Sequence, residues 1–172
     1  MNKDKERGST LFEKRCENSM PAGLSGRAAV PSAVMRRAYE EKLKLCDALE
    51  QIADALPNVD RLKCLGTANA IVPLLRNIHQ YEETIIFPAY EAATGGSNAN
   101  LASIRRLRAE HVEDECFAGE VTEILLAIGH GEAVGNAEAV GFMLRGFFES
   151  MRRHIAFERE HVLPAIGIID QG

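Results

Sequence analysis

Histidine and glutamate side chains recur together at helical spacing in this chain. The stretch H-I-A-F-E-R-E-H places His154, Glu158 and His161 four and then three residues apart, which puts all three on one face of an α-helix. Two further histidines precede a glutamate by four residues: His79 with Glu83, and His111 with Glu115. Imidazole nitrogens and carboxylate oxygens without thiolates suit iron or manganese, and sometimes zinc. The spacing therefore predicts a metal site.

These helix faces are otherwise apolar, so their polar groups are expected to be buried. A single histidine on an apolar face is more often a hydrogen-bonded core residue than a ligand. Here four of the five histidines fall on such faces. Burying several unpaired histidines and carboxylates is unfavourable, and a metal ion compensates because it binds neutral imidazole and offsets the carboxylate charge.

Four long amphipathic segments carry these faces. Little β-branched alternation is present, so no strands are predicted. Short connections between long helices predict an all-α, up-down-up-down antiparallel four-helix bundle. Asp60 is the expected N-cap of the second helix, which Pro73 and Pro88 should bend. The predicted segments are residues 31–56, 60–93, 100–128 and 136–166.

The polar groups should lie at one level of this bundle. Residues equally far from a joining loop share a height in antiparallel helices. By this count Tyr39 matches His79, Glu83 matches His111, and His111 matches His154, each to within one or two residues, which is about 3 Å at roughly 1.5 Å per residue. The chain therefore predicts a polar layer across the core. Lys42 lies on the first face and either reaches out to solvent or places a buried ammonium near the site.

Composition and charge narrow the class of protein. The net charge of −5 argues against binding to nucleic acid or to an anionic membrane. The apolar runs are too short to cross a bilayer, and no secretory leader is visible, so a cytoplasmic protein is predicted. We expect a loosely structured arm over residues 1–30 and one bundle domain over 31–168. The four scattered cysteines are expected to be reduced thiols.

Three stretches resemble the hemerythrin-like family of HHE cation-binding domains: H-Q-Y-E-E-T-I-I-F-P, L-R-A-E-H-V-E-D-E and H-I-A-F-E-R-E-H-V-L-P. The resemblance implies a four-helix bundle with a non-haem, usually di-iron centre bridged by carboxylates. It implies two iron ions per chain and two bridging glutamates; the donor set itself leaves zinc or manganese as alternatives. The ligands carried over by position are His79, Glu83, His111, His154 and Glu158.

The chain departs from the family at the first helix, where Tyr39 stands at the position of a histidine. Tyr39 is either a phenolate ligand or a hydrogen-bonding core residue beside an open site. A phenolate would favour ferric iron and disfavour reversible oxygen carriage.

The register of the second helix leaves a further choice. Pro88 lies nine residues after His79, whereas Pro164 lies ten after His154, so Glu82 could replace Glu83 as the ligand. Two other residues are open in the same way. Glu115 either binds metal or accepts a hydrogen bond from His111, and His161 is expected beside the ligands or an access channel rather than among them.

The predicted function is a non-haem metal protein that binds or senses a small ligand such as O2, NO or peroxide, or that takes part in iron and redox homeostasis. One alternative is a redox enzyme that consumes peroxide or repairs iron centres. Another is an interaction module with a degenerate metal site.

Overall fold

Four long helical segments run antiparallel in the computed structural model, which describes residues 30–168. Within that range there is no β-strand, which confirms the predicted all-α, up-down-up-down bundle. The expected arm, apart from its last residue, lies outside the described residues. The helices are α1 (Pro31–Ala55), α2 (Arg61–Tyr81), α3 (Phe87–Ala93), α4 (Asn98–Gly129), α5 (Ala137–Phe157) and α6 (Leu163–Ala165).

Side-chain caps fix where the helices begin. The Asp60 carboxylate accepts hydrogen bonds from the backbone N–H groups of Leu62 and Lys63, as predicted for an N-cap. Asn136 caps α5 in the same way. The connection before α4 turns through Gly95 and Gly96, whose φ angles of +66° and +65° suit glycine because L side chains rarely adopt them.

Two π-helical turns interrupt the second and fourth segments. They are Glu82–Ile86, between α2 and α3, and Glu158–Val162, between α5 and α6. The residue after each turn, Phe87 or Leu163, donates its backbone N–H to the carbonyl of the glutamate five residues earlier. Each turn precedes a proline at the second position of the next helix, Pro88 or Pro164. A proline lacks the N–H of an α-helical bond and crowds the preceding turn, which favours this wider form.

The helices enclose two apolar clusters with a polar layer between them. The larger cluster includes Leu49, Ile71, Leu125 and Phe147. The smaller one is built around Met35, Ile86, Phe87, Leu107 and Ile155. Helix α2 packs along α4, and α1 packs along α5.

Within the described range no helix has the combination of length and apolar composition needed to cross a membrane.

Candidate metal centre

Four buried side chains from three segments converge in the polar layer. They are Glu82, His111, His154 and Glu158, and each offers one nitrogen or oxygen atom within 4.8 Å of the others. Glu82 and Glu158 are the first residues of the two π-helical turns. The histidines come from α4 and α5. The set thus combines two imidazoles with two carboxylates.

Most of the nitrogen and oxygen atoms that this group could offer to a metal lack a hydrogen-bond partner. The buried atoms without one include Glu82 Oε2, His111 Nε2, His154 Nε2 and Glu158 Oε1. His111 Nε2 lies 3.1 Å from Glu82 Oε2, and His154 Nε2 lies 3.5 Å from Glu158 Oε1, without the directional geometry of a hydrogen bond. Orphaned polar atoms are rare in protein interiors. Their convergence fits a cation, which would satisfy all four.

The opposite ring nitrogens of the histidines meet carboxylates nearer the surface. His111 Nδ1 lies 2.8 Å from Glu83 Oε1, and His79 Nδ1 lies 3.2 Å from Glu115 Oε1. His154 Nδ1 is 3.3 Å from Glu110 Oε2, but without the geometry of a hydrogen bond. For His111, the carboxylate at Nδ1 favours the tautomer with its proton there, which leaves Nε2 free to bind metal.

Helix α1 contributes two donors to the same layer. Lys42 Nζ lies 3.1 Å from Glu82 Oε1, and both side chains are almost fully buried. The Tyr39 hydroxyl donates a hydrogen bond of 3.3 Å to Glu158 Oε2. Both carboxylates are therefore held from α1 through the oxygen that does not face the histidines.

The pKa values of the Glu82 and Glu158 carboxylates are shifted in opposite directions. Burial acts to raise the pKa of Glu82, but the Lys42 ammonium and the contact with His111 outweigh it and lower that pKa. Burial raises the pKa of Glu158 well above its ordinary value, and the charge of Glu82 raises it further. Without a metal, a proton in this layer is therefore favoured on Glu158 over Glu82.

The donors on α1 keep their ordinary protonation states. Burial opposes the charge on Lys42, yet Glu82 raises its pKa overall, so the ammonium is retained. Burial and the nearby Glu158 raise the pKa of Tyr39. In the metal-free site Tyr39 is therefore a neutral phenol and a hydrogen-bond donor.

The pKa values of the three buried histidines are shifted in different directions. Burial lowers the pKa of His79 to about 2 and that of His154 to about 4. Burial also disfavours the charged form of His111, but its contacts with Glu82 and Glu83 prevail and raise its pKa.

The predicted residues fall into three groups. The cluster holds His111, His154 and Glu158 together with Glu82, the alternative to Glu83. Close beside it lie Tyr39, Glu83, Glu115 and His79; the His79 ring stacks on that of His111 with centroids 3.9 Å apart. His161 lies apart: its side chain is 58 % exposed and its ring packs on Phe157.

Sequence reasoning overlooked two carboxylates. Glu110 contacts His154, and the buried Asp114 accepts a hydrogen bond from Ser150. Asp114 is three residues after His111, on the same helix face, so that spacing was the available signal. For Glu82 the signal was its distance from proline, because Glu82 and Glu158 each lie six residues before Pro88 or Pro164.

Among the cysteines within residues 30–168, Cys46 and Cys64 are buried and Cys116 is exposed, and all three are free thiols.

Comparison with known proteins places this geometry in a family. The family model described as the hemerythrin HHE cation-binding domain matches residues 30–166, and so spans most of the chain. Searches of curated proteins and of solved structures found no match. The matched range contains both π-helical turns and the whole cluster of buried ligands, so the chain belongs to the hemerythrin HHE cation-binding family.

Proposed function

We propose that this protein binds iron through Glu82, His111, His154 and Glu158 and uses the bound metal to capture a small diatomic ligand or peroxide. The observation that carries the proposal is the convergence of unpartnered buried nitrogen and oxygen atoms. A mixed imidazole and carboxylate set without thiolate suits iron, with manganese or zinc as alternatives.

Burial supports a small exogenous ligand. All four proposed ligands are almost fully enclosed, so only a molecule of a few atoms fits beside them without repacking the core. Four protein donors also leave a non-haem iron short of six ligands, and open positions of this kind bind O2, NO or peroxide. Sensing or redox homeostasis follows from such binding, and the cytoplasmic location stays a prediction.

Metal analysis with spectroscopy tests the proposal. The full chain is loaded anaerobically with ferrous iron and desalted, its iron is counted, and NO is added while the visible and electron paramagnetic resonance spectra are recorded. We expect stoichiometric iron and a new iron–nitrosyl signal, both lost in His154→Ala. A chain that holds no metal would instead favour an interaction module with a degenerate site.

Tyr39 supports a second candidate, the consumption of peroxide. Its hydroxyl hydrogen-bonds to a proposed ligand, Glu158, and so lies where a phenol could donate a proton or an electron to a bound oxidant. Peroxide loss catalysed by the iron form and reduced in Tyr39→Phe would support an enzyme. Peroxide loss equal to that of free iron would count against one.

A further inference from the structure

The two central carboxylates present only one oxygen each to the histidine cluster. Glu82 Oε2 and Glu158 Oε1 are the buried, unpartnered atoms. The other oxygens are engaged by α1: Glu82 Oε1 lies 3.1 Å from the Lys42 ammonium, and Glu158 Oε2 accepts a hydrogen bond from Tyr39. Both carboxylates are therefore divided in the same way between the cluster and α1.

This division bears on how many metal ions the site holds. A carboxylate that bridges two metal ions through its two oxygens must offer both of them. Here the Lys42 ammonium already lies against the second oxygen of Glu82, and the Lys42 side chain is only 2 % exposed. A second metal ion at that oxygen would have to displace or approach the buried ammonium, and like charges in a low-dielectric interior repel strongly.

The balance of buried charges also favours a single metal ion. Besides the histidines, the charged groups enclosed in this layer are Lys42, Glu82, Glu158 and Asp114. When ionised, the three carboxylates and the Lys42 ammonium together leave two negative charges, which one divalent cation balances. A second divalent ion would give the buried groups of this layer, as far as the structure describes them, a net positive charge. Uncompensated buried charge is unfavourable.

We propose that the site holds one metal ion per chain, with the Lys42 ammonium taking the place of a second cation beside Glu82. This inference rests on the proposed metal-binding function and specifies its stoichiometry. It departs from the two iron ions predicted from the family resemblance. Lys42 is in this view a residue that sets metal number without being a ligand.

Metal counting on the full chain tests the inference. The metal-free protein is titrated with Zn²⁺ and separately with Mn²⁺, desalted, and assayed for metal and protein. We expect one ion per chain, and the manganese form should give the electron paramagnetic resonance spectrum of an isolated ion. Two ions per chain, or the spectrum of an exchange-coupled pair, would overturn the inference while leaving the proposed function intact. No bound ion would remove both.

The variant Lys42→Met tests the role of the ammonium. Methionine keeps an unbranched chain of similar length but removes the charge and frees Glu82 Oε1. Lys44→Met is the matched control, because Lys44 is exposed on the same helix. We expect a second ion to bind to folded Lys42→Met, as judged by circular dichroism, but not to Lys44→Met. An unchanged single ion in folded Lys42→Met would contradict the role given to Lys42. Should that variant not fold, the wild-type count and manganese spectrum still decide the stoichiometry.

Discussion

Glu82 and Glu83 are adjacent in the chain but occupy different environments. Glu82 is fully buried, with Oε2 facing His111 Nε2, whereas the Glu83 side chain is 41 % exposed and contacts His111 Nδ1. The same imidazole thus lies between the two carboxylates, one on each ring nitrogen. The inner glutamate is placed to bind metal, and the outer one to fix the ring.

Replacing each glutamate by glutamine should separate these roles. Glu83→Gln keeps an acceptor for His111 Nδ1, so we expect a loss of metal affinity near the low end of the roughly 10- to 100-fold typical of outer hydrogen-bond partners. Glu82→Gln removes an anionic donor and leaves Lys42 unpaired, so its loss should be larger. Competition with a chromogenic chelator measures both affinities.

The exposed Glu113 on α4 provides the control for these variants. Glu113→Gln removes the same charge from the chain without touching the cluster and should leave the affinity unchanged. An affinity loss in Glu83→Gln that equals or exceeds that of Glu82→Gln would show that the two carboxylates have been assigned the wrong roles.

At the scale of the element, each buried glutamate of the cluster is the first residue of a π-helical turn. Regular α-helical spacing from His79 selects Glu83, four residues on. The turn that begins at Glu82 is followed by Pro88, and the equivalent turn at Glu158 by Pro164. We expect each proline to favour its turn, and so to act on the site from six residues away.

Replacing Pro88 should alter the site through the backbone. Pro88→Ala restores an N–H that can donate to the carbonyl of Thr84, four residues earlier, and so allows the turn to tighten into an α-helix. That change rotates Glu82 relative to His111, and we expect metal affinity to fall about 10-fold or more, as for the loss of a supporting group. The helical content by circular dichroism should be retained.

Pro73→Ala is the matched control. Pro73 is exposed and lies inside the regular helix α2, where no π-helical turn forms. Its replacement should leave metal affinity at the wild-type value. Wild-type affinity in Pro88→Ala as well would mean that the turn persists without proline.

The helices also show which parts of the fold and of the site can be predicted from the sequence. Helical periodicity identifies the bundle, and counting from the loops brings Tyr39, His111 and His154 to one level. Four-residue spacing from His154 places Glu158 in the cluster, whereas the same spacing from His79 selects Glu83, because His79 itself lies outside the cluster that contains Glu82. The burial of Lys42 depends on its pairing with Glu82 across two helices, which no spacing within α1 reveals.

Over the whole molecule, the polar layer separates the two apolar clusters and interrupts the core. Metal-free, this layer contains buried donor atoms without partners, and each such atom is destabilising. A metal ion held by these atoms in the native fold would find no preformed site in the unfolded chain. The bundle should therefore be more stable with metal than without it.

This linkage gives a thermal prediction for the full chain. At a free metal concentration a hundredfold above Kd, binding should stabilise the fold by about 2.7 kcal/mol. For a domain of this size that corresponds to a rise in Tm of about 5–10 °C, measurable by calorimetry of the metal-free and loaded protein. His154→Ala should lose most of this rise because it removes a donor from the cluster, whereas His161→Ala should keep it because His161 is exposed and outside the cluster. An equal rise in both variants would place the stabilising metal elsewhere on the chain, and no rise in the wild type would mean that the buried donors are not a metal site.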